Sequence, residues 1–310
     1  MKKATVAVII INYNSADYTI ECIQSIHQQV HASLSYQIVI IDNNSKNNDY
    51  EQVKKFIKNL QASHIQLVRS KLNLGFSGGN MLGVQYANAD YLFFLNNDTV
   101  LLNDCLSILH QFMQANPQAG LCTGQMFGSD LQAHHSFSYL PTMSMRLVGS
   151  TFLRWLSPKK YPKRASDYTA PLEVGYVTGA ALFVDYKKFA EIGGFDTTYF
   201  LYCEEEDIAT QMHQHQYGVY VVPAAQFVHH TGKSTVYNFN MAREYYISRL
   251  YYHRKFDAKP LFFLHQLLYV LKNAKKFYKG VSYLKLAAFI LLGASQKYSL
   301  KHQQKLRIEE

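Results

Sequence analysis

Three apolar runs in the first hundred residues each stop at a cluster of short polar side chains: Asn12-Tyr13-Asn14-Ser15, Asp42-Asn43-Asn44-Ser45 and Asn96-Asn97-Asp98. Asparagine, aspartate and serine are common turn and helix-capping residues, and that accounts for any one cluster taken singly. Three of them, each after an apolar run, make a polar rim. The third cluster raises a sharper question, because Asp98 follows Tyr91-Leu-Phe-Phe-Leu95 and a carboxylate at the end of a buried strand is costly unless something pairs with it. A hard divalent cation, Mg2+ or Mn2+, carrying a diphosphate would be such a partner. These ions take carboxylate oxygens and fill their other positions with phosphate and water.

Two later stretches can complete such a site. Phe200–Gln211 reads FLYCEEEDIATQ and opens a helix with Glu204, Glu205, Glu206 and Asp207 in succession. The helix dipole favours acids there and explains two of the four. Crowding raises the proton affinity of at least one that is partly buried, and a carboxylate in that condition is a candidate general base. Phe227–Thr235, FVHHTGKST, is a short strand ending at His229 and His230 before a glycine-containing turn. A histidine there would either complete a metal's ligand shell or serve as a hydrogen-bonded core residue. Asn73–Ala87, NLGFSGGNMLGVQYA, places a glycine-rich turn before a helix, where backbone N–H groups can approach a phosphate or sugar, though glycines also make ordinary turns.

The elements that must position these residues follow from hydrophobic spacing. Runs rich in Val, Ile, Leu or Phe at 5–11, 37–41, 64–68 and 91–95 alternate with segments in which Ile20, Ile23, Ile26 and then Val53, Phe56, Ile57, Leu60 recur at helical intervals. Such alternation predicts an α/β fold, a Rossmann-like, largely parallel sheet with helices on both faces, and ligands beyond the carboxyl ends of its strands. Residues 176–184 return to strand character. The helix opened by the four acids is expected to end at Gly218, before another strand. Residues 128–172 show no clear period and contain several prolines, so an irregular region is expected there. From about Tyr237 the chain reads as helices at 238–255, 261–278 and 282–297.

The formal charge of +9 is unevenly spread: residues 236–310 hold 14 Lys and Arg against 4 acids, whereas residues 1–235 are nearly balanced. The tail's cations lie among apolar runs such as Leu286-Ala-Ala-Phe-Ile-Leu-Leu292, a mixture that suits an anionic membrane surface better than a nucleic acid. Lys272, Lys275, Lys276 and Lys285 interrupt these helices, which would therefore lie on a bilayer without crossing it. The four cysteines are far apart, which argues against a disulfide framework or zinc ribbon. The first apolar stretch meets Asn12-Tyr13-Asn14 before any small-residue cleavage site, so a buried strand is expected there and a cytoplasmic protein, peripheral on the inner membrane face.

Taken in order, VIIINYNS, IVIIDNNS, NLGFSGGN, YLFFLNNDTVL, TGAALFV, GGFDTTYFLYCEEEDI and VHHTGKST resemble glycosyltransferase family 2, in particular its rhamnosyltransferase-like members with a GT-A fold. The resemblance covers residues 4–235 and implies a catalytic domain at 1–235, with 128–172 on the acceptor side, followed by a basic amphipathic helical tail at 236–310. By that resemblance Asn12, Tyr13, Asn14 and Asp42 hold the base and ribose of a dTDP- or UDP-sugar, and Asn73, Gly75, Gly78 and Asn80 lie along its sugar and diphosphate. Asn96-Asn97-Asp98 stands at the family's DxD motif, so Asp98 and His229 would bind the metal. Glu205 stands at the catalytic carboxylate, and Gly179, Glu204 and Asp207 lie on the acceptor side. The implied activity is an inverting transfer to a glycan or glycolipid acceptor, and the sequence leaves room for a homodimer. Asn96 in place of Asp and Glu205 in place of Asp depart from the family pattern, and they are what would favour a non-catalytic binding module of the same fold.

Overall fold

The computed structural model describes residues 3–30, 34–164, 168–230 and 238–306. In chain order the elements are β1 (Ala4–Asn12), α1 (Ala16–Gln29), β2 (Tyr36–Asp42), α2 (Asn47–Leu60), β3 (Ile65–Arg69), α3 (Gly75–Tyr86), β4 (Ala89–Asn96) and β5 (Thr99–Leu101). There follow α4 (Cys105–Ala115), β6 (Ala119–Phe127), β7 (Phe137–Ser138), α5 (Met143–Leu156), β8 (Leu172–Glu173), β9 (Tyr176–Val177), β10 (Ala181–Asp185) and α6 (Tyr186–Glu191). The last are α7 (Glu204–Gln214), β11 (Gly218–His229), α8 (Phe239–Phe256), α9 (Lys259–Ala274) and α10 (Val281–Leu291).

One sheet organises the chain, with strand order β3-β2-β1-β4-β10-β6-β11-β5 and β8 on the side of β11. Strands β3, β2, β1 and β4 are parallel neighbours, whereas β10 lies antiparallel between β4 and β6. Period-two alternation divides their side chains between two cores. Val6, Val8, Ile10 and Phe93 point to one face with Ile23, Leu106 and Leu109. Ala7, Ile9, Ile41 and Phe94 point to the other with Leu182 and Ile208. Register decides where the polar clusters fall: Asn12 pairs with Asp42, and Ile11 pairs with Asn96. All three clusters therefore emerge at one edge of the sheet.

The structure departs from the sequence expectations in four places. Residues 128–172 contain helix α5, kinked at Gly149 (φ 76°). The kink interrupts the helical spacing, and of the helix's residues only Leu153 is buried while Leu147, Val148, Phe152, Trp155 and Leu156 are exposed. The strand expected at 176–184 is broken at Thr178-Gly179-Ala180, with β9 pairing β7 in a separate small sheet. Helix α7 ends before Gln216, which takes the left-handed conformation (φ 63°), and Gly218 instead opens β11. The tail helices α9 and α10 are shorter than expected and give way to 3-10 turns at Phe277–Lys279, Gln296–Tyr298 and Leu300–Gln303. The turn at 231–237, across which the two sequence domains were divided, lies outside the described residues.

Helix α8 is bound tightly to the sheet domain. Arg249 donates to Glu206 at 2.7 Å, with both side chains buried, and the guanidinium lies over Tyr245 and Tyr252. Lys255 reaches Asp196 and Asp207 at 2.9 and 2.8 Å, and Ser248 Oγ donates to the Leu201 carbonyl. Helices α9 and α10 then pack on α8 through Ile247, Leu250, Phe262, Leu286 and Ile290. Breaking a buried ion pair from one side leaves an uncompensated charge, so Arg249→Met is expected to destabilise the fold by about 3–5 kcal/mol in urea unfolding. Adding Glu206→Leu should recover most of that loss, and an unchanged midpoint in the single variant would show that the pair does not hold α8.

Candidate active site

At the polar edge a cleft of about 500 Å³ opens among Tyr13, Asn73, Gly75, Asn80, Asn96, Asn97 and Asp98. These seven were expected from the sequence. Ser15, Asn43, Phe76, Phe200, Leu201, Asn238, Met241, Leu300 and Gln304 line it as well. Asn43 and Ser15 sat inside the quoted clusters, but the last four come from the tail, which no local signal connects to this edge.

Asn12 and Asp42 have no exposed surface and do not line the cleft. Their groups are spent on each other: Asn12 Nδ2 lies 3.0 Å from Asp42 Oδ1, 3.1 Å from Ser45 Oγ and 2.7 Å from Asp49 Oδ1, while its Oδ1 accepts from Thr19 at 2.7 Å. Arg69 approaches Asp42 at 3.4 Å, and Asp49 accepts from the Ala16 N–H at the start of α1. Asn14 is exposed and left-handed (φ 53°); its N–H donates to Ser45 and its Oδ1 accepts from the Lys46 N–H. Asn97 donates to Ser15 Oγ and Thr19 Oγ1, tying the end of β4 to α1.

The glycine-rich turn packs hard against its surroundings. Asn43 donates to Asn73 Oδ1 at 2.9 Å and to the Gly75 carbonyl at 3.0 Å, and its own Oδ1 accepts from the Leu74 N–H. Gly75 has φ +71°, and a Cβ there would fall 2.2 Å from the Phe200 carbonyl oxygen. The Phe76 N–H donates to that same carbonyl. Gly78 stands on the helix outside the cleft's lining; a Cβ there would approach only Leu74.

Asp98 is 5% exposed and faces His229, whose Nε2 lies 3.2 Å from its Oδ1. Register makes the meeting: β5 leaves Asp98 to run antiparallel to β11, with Thr99 opposite His229. His230 turns away to Ser129 Oγ at 2.8 Å. One carboxylate oxygen and one imidazole nitrogen this close, with the other ring nitrogen of His229 buried and unpartnered, are a donor set that fits a divalent cation; Asp98 lines the cleft and His229 does not. The glycine turn after His230 is outside the described residues.

The four acids at the start of α7 have four different environments. Asp207 is committed to Tyr199 and Lys255, and Glu206 to Arg249. Glu204 is buried with Oε2 unpartnered, and burial together with Glu205 holds its carboxyl well above the usual range. Glu205 keeps some exposed surface; burial and then the Glu206 charge push its pKa up to about 8. Glu205 is not in the lining of the cleft, yet it is near: its carboxyl carbon is 4.0 Å from where a Cβ on Gly179 would stand. The adjacent Ala180 carbonyl accepts from the Asn96 N–H. Just before α7, Tyr202 and Cys203 are both left-handed (φ 73° and 69°), a strain of about 1–3 kcal/mol each that aims the acids at this point.

The family model described as Glycosyl transferase family 2 matches residues 7–184, more than half of the chain. The chain belongs to glycosyl transferase family 2. Among curated members of related sequence, rhamnosyltransferase WbbL of Escherichia coli K12 is 27% identical over 165 residues, covering 50% of this chain and 61% of WbbL. Abequosyltransferase RfbV of Salmonella typhimurium is 30% identical over 119 residues, 38% of this chain and 35% of RfbV. The chain thus spans less than two thirds of either relative. In solved structures the fold matches the mannosyltransferase PcManGT from Pyrobaculum calidifontis, in complex with GDP-Man and Mn2+, with TM-score 0.58 and 15% identity over 95% of this chain and 76% of that one. It also matches GalNAc-T7 with UDP, GalNAc and Mn2+, at TM-score 0.58 and 14% identity over 78% of this chain and 48% of that one. The fold is GT-A, as the family resemblance implied.

Removing the Asn12 amide would leave Asp42, Asp49 and Thr19 short of partners in a buried place. Asn12→Ala is expected to destabilise the fold by about 1–3 kcal/mol in urea unfolding; full stability in that variant would mean that the hydrogen-bonded cluster does not hold the rim.

Proposed function

We propose that this family 2 chain transfers a sugar, with inversion, from a dTDP- or UDP-linked donor to a saccharide acceptor in cell-surface polysaccharide synthesis. The observation that carries the reading is the meeting of Asp98 and His229 at the wall of the cleft formed by Asn73, Gly75 and Asn80. Tyr13 and the rim beside it would receive the nucleoside, supported from below by Asn12 and Asp42. Asp98 and His229 would hold Mg2+ or Mn2+. Such an ion supplies positive charge to the diphosphate as it leaves. Glu205, reached across Gly179, takes the proton from the acceptor hydroxyl as its oxygen attacks the anomeric carbon. Burial, and then the charge of Glu206, keep the Glu205 carboxyl basic. Rhamnose is the sugar favoured by the likeness to WbbL and to the N-acetylglucosaminyl-diphospho-decaprenol L-rhamnosyltransferase of Mycobacterium tuberculosis, which is 36% identical over 62 residues, 20% of each chain.

The acceptor in this reading is carried by a lipid, and the protein meets an anionic membrane surface at the cytoplasmic face. Among the described residues no helix is long and apolar enough to cross a membrane. Two segments are instead suited to lie on one. Residues 131–164 hold six Lys and Arg and no acid, and residues 258–306 hold nine Lys and no acid. Both expose large apolar side chains: Leu147, Phe152 and Trp155 (77% exposed) on α5, and Phe263, Leu267 and Leu271 on α9. Arg146 joins the two helices by donating to the Tyr269 hydroxyl and stacking 4.0 Å over its ring. Cations beside exposed apolar side chains are what anionic lipid headgroups and the acyl boundary bind.

The base assignment makes a pH prediction with a definite sign. Only the ionised carboxylate can accept the proton, so kcat/KM should rise about tenfold per pH unit up to about pH 8 and then level off. Glu205→Gln should lower transfer at least 100-fold while keeping donor binding, and Asp98→Ala should weaken metal-dependent binding of UDP or dTDP in calorimetry. Wild-type turnover in Glu205→Gln would remove Glu205 from the mechanism. For the membrane reading, sedimentation with vesicles containing phosphatidylglycerol should capture the protein at low salt and release it at high salt. Trp155→Ala with Phe263→Ala should weaken capture several-fold, and equal capture by neutral vesicles would argue against it.

A further inference from the structure

Leu300 and Gln304 line the same cleft as Tyr13, Asn80 and Asp98, although they come from the far end of the chain and lie outside the residues matched by the family model. Their position is held by unusual anchoring. Glu244 on α8 is 1% exposed, and a buried carboxylate is costly unless its oxygens are satisfied. Both oxygens find partners on this one turn: Ser299 Oγ donates to Oε1 and the Leu300 N–H to Oε2, each at 2.8 Å. Ser299 is itself buried. Lys301 Nζ donates to the Thr197 carbonyl at 2.7 Å, which fastens the turn to the loop leading into α7. At its other end Asn44 Nδ2 donates to the Lys305 carbonyl at 3.4 Å, bringing the turn to the rim beyond β2. Gln304 Nε2 donates to the Leu300 backbone carbonyl, which holds the Gln304 side chain against the turn.

We infer that residues 300–304 form a wall of the donor site, with Leu300 giving an apolar contact and Gln304 a polar contact to the nucleotide. The inference rests on the donor reading above. A nucleoside offers a flat apolar face and hydrogen-bonding edges together. An aliphatic side chain and an amide held side by side at the β2 rim match that combination. The turn is thereby a specificity element outside the residues that the family model matches.

The test is calorimetric titration of the full chain with UDP, dTDP and GDP, each with Mn2+. Gln304→Ala should weaken the best-binding nucleotide about fivefold, the worth of one neutral hydrogen bond, and Leu300→Ala should weaken it by a similar factor. Gln303→Ala, on an exposed neighbour outside the lining, should bind as wild type. Thermal melting without nucleotide identifies any variant that fails to fold, and the conservative Gln304→Asn then replaces it, with a smaller loss expected. Unchanged binding in both lining variants would overturn the inference while leaving the donor reading intact. Failure of the wild type to bind any of the three nucleotides would sink the donor reading, and this inference with it.

Discussion

The hydrogen bonds of the Asn12 side chain are the constraint on which the site depends. Parallel strands bring their carboxyl ends to one edge, and there short polar side chains must bond to one another. Asn12 ties β1 to the end of β2 through Asp42 and Ser45, to α2 through Asp49 and to α1 through Thr19. Asn97 adds the end of β4 to the same helix α1. With the rim fixed, the side chains above it can face a ligand without also having to hold the chain together.

A second constraint governs the acids of α7. Like charges in succession at one helix start would repel, and the structure separates them by giving them different environments. Asp207 and Glu206 are neutralised by Lys255 and Arg249, both on α8. Glu204 and Glu205 have no ion pair among the described residues, and burial, which outweighs the pull of Arg249 on Glu205, leaves their carboxyls basic. Helix α8 therefore decides, by where its cations stop, which of four chemically similar residues can take up a proton.

Much of this was legible in the sequence because it is local. Strands β1, β2 and β4 are nearly continuous apolar runs, as strands buried on both faces must be, and their polar ends are adjacent in sequence to them. The cleft residues Tyr13, Asn73, Gly75, Asn80 and Asn96-Asn97-Asp98 follow from that pattern and from the family resemblance. What could not be read depends on distance along the chain or on exposure. Asn12 and Asp42 carry the same residue types as a ligand-binding rim, and their burial and hydrogen bonds to Thr19 and Asp49 are visible only in the folded chain. Helix α5 was missed because the kink at Gly149 splits it into two short pieces, each with too few residues to show a clear period. The tail's share in the cleft is a fact of tertiary structure alone.

The close seating of Gly75 against Phe200 has an implication for how such chains can be recombined. The backbone of the loop before α7 occupies the space that any side chain at position 75 would need, and the Phe76 N–H is bonded into it. The turn at 73–80 and the loop at 198–203 are therefore one shaped joint contributed by two distant stretches. A chimera that imports either stretch from a relative without the other would bring together surfaces that were never fitted. In this fold the smallest exchangeable module of the site is discontinuous in sequence.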